Sequence, residues 1–493
     1  MSIKDKTISG LKWSFTDNMV NQGVHFIFGI ILARLLSPTE FGIIGMTMVF
    51  VAISETFMRG GLDTAVIRKQ NATEVDFSTL FYTNICFGIV LFAVLYTSAG
   101  AISRFYGLVD LVILVRVMAL NIVINSFGLV ESAILVKQID FKRLTRISVI
   151  SSIVSGITGI TLAYLGFGYW SLAAKTLCQN LIRVIMLHWT SSWHPKFMYS
   201  FVSFKELFNF GSKMMATSLI NTIYLNVYKL VIGKYFASAE LGYYSKAEQF
   251  KNLPSESFQR SIQRVTFPVL SSMIGDRNKL RSGYKRLIKL LFFIISIFML
   301  LMIINAREII LILLGNKWEP AIPYLQVMCI SGMFYPLNSL NLNVLVAMGR
   351  SDLYLKVEVL KKIMIIPVIF IGIKFGIIVM LWGIALSTFL EFVLNSSFSA
   401  KLIEYPTYKQ LLDISPTIIH VIVMSVLAFT AGSIISSNLF LSLLVKLAIV
   451  LLYLISINYV FGIPELRELW QLVKEQIKSY LSPFWKSIVF GRS

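Results

Sequence analysis

Long apolar stretches separated by short polar connections run along almost the whole chain. A helix of about 20 apolar residues crosses the hydrocarbon layer of a bilayer, which is about 30 Å thick. The pattern therefore predicts an all-α integral membrane protein of about fourteen spanning helices, with connections too short to hold a folded catalytic domain. The predicted spans are residues 11–36, 41–61, 77–100, 111–136, 145–165, 168–189, 205–235, 241–273, 284–305, 320–347, 354–373, 377–400, 415–435 and 439–461.

The segment 241–273 departs from this pattern because charged and amide side chains occur throughout it. If it were a loop, the later spans would reverse direction, and nearly all Lys and Arg residues beyond Arg277 would lie outside. If it spans, those residues lie inside, as the positive-inside rule requires. The charge distribution therefore predicts that 241–273 spans the membrane and that both chain termini are cytoplasmic.

A spanning helix with six charged residues cannot face lipid on all sides. A charge at mid-membrane costs about 2.5–3.5 kcal/mol, whereas a large apolar residue returns only about 0.3–0.6 kcal/mol. Helical periodicity separates an apolar stripe from a wet, mostly cationic face, so the helix is predicted to line a polar cavity. The stripe comprises Ala247, Pro254, Phe258, Ile262, Val265 and Val269; the wet face includes Gln249, Asn252, Glu256, Gln259, Arg260 and Gln263; Lys251 breaks the pattern.

The composition agrees with a membrane protein, since 56% of the residues are hydrophobic and the mean hydropathy is +0.75. A net charge of +20 would suggest nucleic acid as the partner of a soluble protein. Here the basic residues are expected to mark cytoplasmic loops, and no interleaving of basic and aromatic residues points to nucleic acid. Cys86, Cys178 and Cys329 lie in apolar runs without metal-binding spacing, so we expect neither a metal site nor a disulfide framework.

The sequence also contains signs of an internal repeat. Asn21 and Asn221 are 200 residues apart, as are the stretches "RLLSPTEFG" and "KYFASAELG" that follow, and weaker matches continue at offsets near 212. Polar residues share one narrow face in each of the two spans concerned. These faces carry Ser14, Asn18, Asn21, Gln22, His25 and Gly29 in the first span, and Ser218, Asn221, Thr222 and Lys229 in span 205–235.

Six spans in each repeat return the chain to the same side of the membrane, which predicts two parallel halves. Transporters built in this way bind substrate where their halves meet. The predicted divisions are 1–195 and 196–402 for the two six-helix bundles, 403–463 for two extra spanning helices and 464–493 for a cytoplasmic tail. An apolar stripe in the tail, formed by Leu466, Leu469, Val473, Ile477 and Tyr480, predicts a helix on the membrane surface.

Several stretches together resemble a known family. They are "KTISGLKWSF" at the start, "ARLLSPTEFG", "RGGLDTAVIRK", "KQIDFKRL", "GYYSKAEQFKNLPSES", "RVTFPVLSSM", "GNKWEPAIPYLQVMC" and "VAMGRSDLYLK". The chain is similar to the polysaccharide transporter branch of the MATE-like flippase superfamily, the Wzx-type exporters of lipid-linked oligosaccharides. Within that branch it most resembles the colanic-acid exporter type. These motifs are turns and helix ends, so they indicate the family more sharply than the substrate.

The resemblance implies two six-helix bundles arranged as a V around a central cavity. It implies a transporter without enzymatic activity or cofactor, which moves an undecaprenyl-pyrophosphate-linked repeat unit from the cytoplasmic to the periplasmic leaflet of the bacterial inner membrane. The sugars and pyrophosphate would pass through the cavity while the lipid tail stays in the bilayer. The flipped glycan would feed the assembly of lipopolysaccharide, O-antigen, capsule or exopolysaccharide, with polysaccharide polymerase machinery as an expected partner.

A pyrophosphate must cross a region of low dielectric, where Lys and Arg side chains facing a cavity can neutralise it. The candidates for this role are Lys229, Lys246, Lys251, Arg260, Arg264 and Arg59. The alternative is that the arginines lie near cytoplasmic helix ends and only fix the topology. Candidate partners for sugar hydroxyls, unless they hydrogen-bond between helices instead, are Asn18, Asn21, Gln22, Asn221 and Gln249.

Candidates for coupling transport to protons are His25, Glu248 and Glu256. Histidine titrates near neutral pH, but a single histidine in a helix more often has a structural role. Other charged residues also fall within predicted spans, and we expect them to form ion pairs between helices. They are Glu131, Lys175 and Glu391.

Two other classes of protein compete with this interpretation. A MATE-type drug exporter would bind cations and need an acidic cavity, whereas basic residues predominate on the wet faces here. A flippase for another lipid-linked precursor, such as the peptidoglycan precursor, has a similar charge requirement and stays open. A membrane glycosyltransferase or polymerase needs a large outside loop with catalytic residues, which the short connections exclude.

Overall fold

The computed structural model describes residues 3–273, 275–434, 438–471 and 474, and within them it contains helices and turns but no strand. Each predicted span coincides with a helix, and the segment 241–273 forms one helix rather than a loop. The helices are α1 (Ile3–Leu35), α2 (Pro38–Arg59), α3 (Leu62–Arg68), α4 (Glu74–Tyr106), α5 (Leu111–Lys137), α6 (Phe141–Tyr164), α7 (Tyr169–Thr190), α8 (Phe201–Tyr235), α9 (Ser238–Ser272), α10 (Arg277–Ile304), α11 (Ala306–Leu313), α12 (Ala321–Ala347), α13 (Ser351–Phe375), α14 (Ile377–Ile403), α15 (Thr407–Ile434) and α16 (Leu439–Phe461).

The all-α membrane architecture is confirmed. By length and composition, eight helical segments of the described chain are long and apolar enough to cross a membrane. The figure of fourteen spans stays a prediction, because helices such as α9 carry too many polar residues for a test based on apolarity. Hydrophobicity did not reveal α3 and α11, whose seven and eight residues are too short to form a span.

The helix boundaries follow from local capping chemistry. At the start of α2, Ser37 and Glu40 form a reciprocal capping box, and Thr73 and Asp76 do the same at the start of α4. Gly107 ends α4 in the left-handed conformation, which glycine adopts without steric cost. These caps satisfy backbone groups that an apolar helix cannot satisfy by itself.

The chain divides into two compact units. Unit 1 comprises Met1–Lys246 with Leu313–Trp318, and unit 2 comprises Ala247–Ile312 with Glu319–Ser493. The helix α9 therefore begins in unit 1 and continues in unit 2. The boundaries of the two sequence repeats, near residues 195 and 402, stay a prediction.

In unit 1, α1 packs on α6, α6 on α7, α5 on both α4 and α7, and α2 on α8. A buried cluster from α3, α4, α5 and α8, centred on Val66, Leu80 and Val130, fills the space near the ends of these helices. On the same side, Gly61 and Gly211 lie so close together that a Cβ on Gly61 would be 2.6 Å from the carbonyl oxygen of Gly211. Small residues thus allow α8 to pack tightly against the α2–α3 turn.

The first turns of α2 and α9 cross in direct backbone contact, and we call this contact the glycine crossing. A Cβ on Gly42 would lie 1.7 Å from the carbonyl oxygen of Ser238, and a Cβ on Gly242 would lie 2.0 Å from that of Pro38. Neither position has room for any side chain. The two glycines are 200 residues apart in stretches of similar sequence, and each lies against the backbone of the other helix.

Residues 313–318 return to unit 1 beside the glycine crossing. The ring of Trp318 is fully buried, and its Nε1 donates a 2.8 Å hydrogen bond to the carbonyl oxygen of Ala33 at the end of α1. Its ring also packs edge-on against Phe41 at 5.4 Å between centroids. This contact explains why the "GNKW" stretch carries a tryptophan in a connection between helices.

In unit 2, α12 packs on α10, α13 and α14, and α15 packs on α10 and α16. Polar side chains connect the apolar helices: Asn395 on α14 donates a 3.0 Å hydrogen bond to Asn338 on α12, and Tyr284 on α10 donates one of 2.7 Å to Asn341. Side-chain hydrogen bonds of this kind help to hold helices together in a membrane, where apolar packing alone gives little selectivity.

The tail also packs on unit 2. Residues 464–471 are helical, and Leu466 and Leu469 pack against a buried cluster of α10, α15 and α16. Glu468 pairs with Arg286 at 2.6 Å and Glu465 pairs with Lys289 at 3.3 Å. The described part of the predicted surface stripe therefore faces the protein. The rest of the stripe, Val473, Ile477 and Tyr480, lies outside the described residues.

Replacing Gly42 by alanine is expected to destabilise the protein by about 1–3 kcal/mol, because the added methyl group must push the first turns of α2 and α9 apart. The measurement is thermal unfolding of the detergent-purified protein. The matched control is Gly100→Ala in α4, where a Cβ meets nothing within 4 Å. The control should be neutral or stabilised by up to about 1 kcal/mol, since alanine favours helix. Equal unfolding temperatures for both variants would contradict a tight crossing.

The predicted direction of α9 can be tested with single cysteines introduced into a variant that lacks Cys86, Cys178 and Cys329. If α9 spans, Asn316 lies outside and Asn278 inside, and both positions are exposed. A membrane-impermeant maleimide added to intact cells should therefore label Asn316→Cys and leave Asn278→Cys unlabelled until the cells are opened. The reverse labelling would show that α9 does not cross the membrane.

Candidate functional site

The polar face of α1 leads to a cluster of hydrogen-bonding side chains inside unit 1. The Nε2 atom of His25 lies 3.4 Å from the Oγ of Ser152 on α6 and 3.3 Å from the Nε2 of Gln179 on α7, and Gln179 donates to Ser152 at 3.3 Å. His25 thus joins three helices through neutral partners. This arrangement favours the structural role for His25, and the coupling role stays a prediction.

Lys246 lies directly below the glycine crossing, one turn after Gly242 on α9. It is only 5% exposed, its Nζ donates a 3.2 Å hydrogen bond to the carbonyl oxygen of Gly29, and the same atom lies 4.2 Å from the centre of the Phe41 ring. A carbonyl oxygen and an aromatic face can each stabilise an ammonium group. The sequence predicted a lysine facing water, and this structure buries it against α1 and α2.

A second lysine acts on Lys246 electrostatically. Lys175 on α7 is close enough that the two positive charges repel each other. The side chain of Lys175 packs against Gly159 of α6, because a Cβ added at Gly159 would lie 3.0 Å from the Cβ of Lys175. Burying two cations near each other costs free energy, which neighbouring oxygens, aromatic faces or a bound anion can offset.

Farther along α7, Arg183 lies near the acidic residue Glu55 of α2. Asn125 on α5 donates a 2.7 Å hydrogen bond to Glu55 on α2, and both Arg59 and Arg183 lie near enough to act electrostatically on the Glu55 carboxyl group. Arg59 itself is exposed at the last turn of α2. Its position fits the alternative in which this arginine marks a cytoplasmic helix end, and a contact with substrate stays a prediction.

The polar face of α8 packs partly against α2. Thr222 lies 3.0 Å from Thr56, so one of these hydroxyl groups donates to the other. Lys229, two turns further along α8, is half-buried, and Asn221 is exposed. On α1, Asn21 and Gln22 are half-buried. The roles of these four residues toward substrate stay predictions.

The remaining candidates lie on α9 beyond the start of unit 2, or outside the described side chains. Glu248, Gln249 and Lys251 are half-buried. The side chain of Lys251 packs near Gly332 on α12, because a Cβ added at Gly332 would lie 3.4 Å from the Cγ of Lys251. The side chains of four predicted site residues lie outside the described part of the structure. They are Asn18, Glu256, Arg260 and Arg264.

One of the three charged residues expected to form ion pairs between helices, Glu131, lies beside a histidine. Glu131 on α5 is buried, and its Oε1 lies 3.2 Å from the Nε2 of His188 on α7. An ion pair forms here when the histidine is protonated. Near the middle of the same two helices, Asn180 donates a 2.8 Å hydrogen bond to Asn121.

Gln179 and Arg183 were missed in the sequence, whereas Lys175 was expected to form an ion pair between helices. Lys175, Gln179 and Arg183 follow one another at intervals of four and therefore share one face of α7. That spacing was visible in the sequence, but α7 is apolar enough elsewhere to be treated as an ordinary span. Glu55 gave no comparable signal, because a single carboxylate near a helix end is common. Among the described residues, no group of three His, Cys, Asp or Glu side chains could hold a metal ion.

Comparison with known proteins identifies the class to which this arrangement belongs. Residues 31–323 match the model of a family described as polysaccharide biosynthesis protein. The match covers more than half of the chain, and the chain belongs to this family. The chain is therefore a multi-pass membrane protein of polysaccharide biosynthesis.

Two curated relatives agree with this assignment. The chain is 28% identical over 366 residues to the teichuronic acid biosynthesis protein TuaB of Bacillus subtilis, which covers 71% of this chain and 73% of that protein. It is 25% identical over 378 residues to the lipopolysaccharide biosynthesis protein WzxC of Escherichia coli, covering 76% of each. The predicted resemblance to the Wzx-type branch is confirmed.

A solved structure shows the fold over nearly the whole length. The chain superposes on the lipid II flippase MurJ, in an inward closed conformation, with a TM-score of 0.72, 18% sequence identity and coverage of 92% of this chain and 99% of that one. At this identity the likeness concerns the fold. It agrees with the all-α membrane fold that the sequence motifs implied.

A structural role for His25 predicts a difference between two substitutions. Glutamine can keep hydrogen bonds to Ser152 and Gln179, whereas leucine removes them, and interhelical hydrogen bonds in membranes are worth about 0.6–1.7 kcal/mol each. Thermal unfolding in detergent should therefore show a larger loss for His25→Leu than for His25→Gln. If both variants unfold at the wild-type temperature, the cluster contributes nothing to stability.

Proposed function

We propose that this chain is a flippase for lipid-linked oligosaccharides. It moves a repeat unit carried on undecaprenyl pyrophosphate from the cytoplasmic to the periplasmic leaflet of the bacterial inner membrane, for the assembly of lipopolysaccharide, capsule or exopolysaccharide. Membership of the family and the names of the relatives support a role in polysaccharide biosynthesis. The relation to a lipid II flippase in fold supports transport of a lipid-linked precursor.

The observation that carries the proposal is the pair of lysines in unit 1. Lys246 is nearly fully buried against the Gly29 carbonyl oxygen and the Phe41 ring, and Lys175 on α7 lies near enough to act on it electrostatically. A buried lysine with a second lysine nearby favours an anionic ligand, and pyrophosphate carries about two negative charges. Lys229, which is half-buried on α8, is the third cation that we assign to the passage of the pyrophosphate.

Sugar hydroxyls need amide partners, and we assign this role to Asn21, Gln22, Asn221 and Gln249. In the same proposal the repeats comprise residues 1–195 and 196–402, followed by two additional helices, and both termini are cytoplasmic. No step of the transport requires a covalent intermediate or a cofactor. A MATE-type exporter of cationic drugs is disfavoured, since Lys175 and Lys246 would repel a positively charged drug.

Replacing Lys246 or Lys229 by alanine tests the proposal. In a deletion strain complemented with the gene, Lys246→Ala or Lys229→Ala should reduce polymer output about tenfold or more, because a hydrogen bond to a charged group is worth about 1.5–3 kcal/mol. Protein abundance should not fall, since each change removes a charge that is costly to bury. The readouts are the amount of polysaccharide and an immunoblot of the membrane fraction.

The matched control is Lys374→Ala, because Lys374 is exposed in the last turn of α13 and lies outside the proposed passage. It should leave polymer output unchanged. Normal output from both Lys246→Ala and Lys229→Ala, with the proteins present, would sink the pyrophosphate-binding role.

A further inference from the structure

The connection between α7 and α8, which also joins the two predicted repeats, exposes an unusual number of large apolar side chains. Five such residues between positions 189 and 202 are more than half exposed, and we call them the junction patch: Trp189, Phe197, Tyr199, Phe201 and Val202. Phe197 is fully exposed, and Trp189 is 87% exposed. Proteins in water rarely expose so many apolar side chains within one short segment. The junction patch is therefore expected to be covered by a partner.

Contacts with α4 hold this connection in a defined position. The ring of Trp193 is buried in the apolar cluster of unit 1. The backbone N–H of Lys196 donates a 3.3 Å hydrogen bond to the hydroxyl of Ser78. The backbone N–H of Ser200 donates one of 3.0 Å to the hydroxyl of Thr79. Because the inner side of the connection is bound to α4, the exposed side chains of its outer side form a defined surface.

The junction patch continues an apolar face of α7, which is predicted to span the membrane. Leu181, Ile185 and Trp189 follow one another at intervals of four and therefore share one face of this helix. All three are exposed, as expected of a face that lipid tails cover. Beyond α7, the ring of Phe197 stacks on that of Tyr82 on α4, with 6.2 Å between the ring centroids. The patch thus lies where a lipid-facing surface ends, at the predicted cytoplasmic side.

The residue types in this segment fit the boundary between lipid tails and head groups. Trp and Tyr are enriched at this boundary, because their rings are apolar while the indole N–H and the phenol can reach head groups and water. Residues 189–205 include Lys196 and Lys205 but no acidic residue. The negative surface of the cytoplasmic leaflet therefore does not repel the segment.

We propose that the junction patch is a membrane-interface anchor, which inserts into the cytoplasmic leaflet between head groups and lipid tails. Its rings lie about 5–10 Å deep, as the apolar faces of interfacial segments do. Interfacial aromatic residues fix the depth and tilt of the helices that they flank. The anchor therefore sets the position of the end of α7 and the start of α8 in the bilayer.

Spin-label accessibility in lipid vesicles tests this proposal. Nitroxides would be attached at Phe197→Cys or Phe201→Cys in a cysteine-free variant of the full chain, reconstituted in phosphatidylethanolamine and phosphatidylglycerol. Collisions with oxygen, which partitions into the bilayer, should exceed collisions with a water-soluble nickel complex and give a depth of about 5–10 Å. The matched control is Asn278→Cys, an exposed position at the predicted cytoplasmic end of α10, where nickel collisions should predominate.

The contribution of the rings is tested by removing two of them. The pair of substitutions Trp189→Ser and Tyr199→Ser should move the label at position 197 toward water and lower the ratio of oxygen to nickel collisions. The control is Val109→Ser, because Val109 is as exposed as the patch but lies in the connection between α4 and α5. It should leave the ratio at position 197 unchanged.

Three results would overturn the proposal. A predominance of nickel collisions at position 197 or 201 would show that the patch faces water, as a docking surface for a soluble protein would. Low collision rates with both reagents would show that protein covers the patch, for example a second copy of this chain. An unchanged ratio after removal of the two rings would show that they do not anchor the connection. None of these measurements depends on what the protein transports.

Discussion

The first turns of α2 and α9 meet so closely that backbone touches backbone, and the arrangement of unit 1 near its predicted outer end depends on that contact. Only glycine fits at positions 42 and 242. The approach places Phe41 between the ring of Trp318 and the ammonium of Lys246. The same crossing thus fixes the packing at the end of α1 and the position of the most deeply buried cation of the site. A side chain at either glycine would push α2 and α9 apart and so disturb both the packing of Trp318 and the position of Lys246.

The cost of burying charge explains why the site has the form it does. Lys246 is stabilised by a carbonyl oxygen and an aromatic ring, and Lys175 adds repulsion. Buried charge in an apolar helical protein persists where it serves binding or transport, because otherwise apolar residues would be more stable. The buried pair of Glu308 on α11 and Lys446 on α16 differs, since there the two charges neutralise each other.

Hydrophobic length and positive-inside charge were sufficient to predict the all-α membrane fold and the helical nature of 241–273. They did not predict the short helices α3 and α11, which hydrophobicity cannot distinguish from connections. The placement of Lys246 was predicted only in part. Helical periodicity shows which face of α9 carries the lysine, but not that the ring of Phe41 on another helix covers it. Gln179 and Arg183 were missed because their partners, His25 and Glu55, come from distant helices, and such contacts have no local signature.

We propose that this chain carries a lipid-linked oligosaccharide across the membrane, and the position of that glycan can be measured directly. Spheroplasts of a deletion strain and its parent would be exposed to an impermeant lectin or glycosidase that recognises the lipid-linked glycan. If the chain is the flippase, the glycan is protected in the deletion strain and accessible in the parent. Equal access in both strains would contradict the flippase assignment.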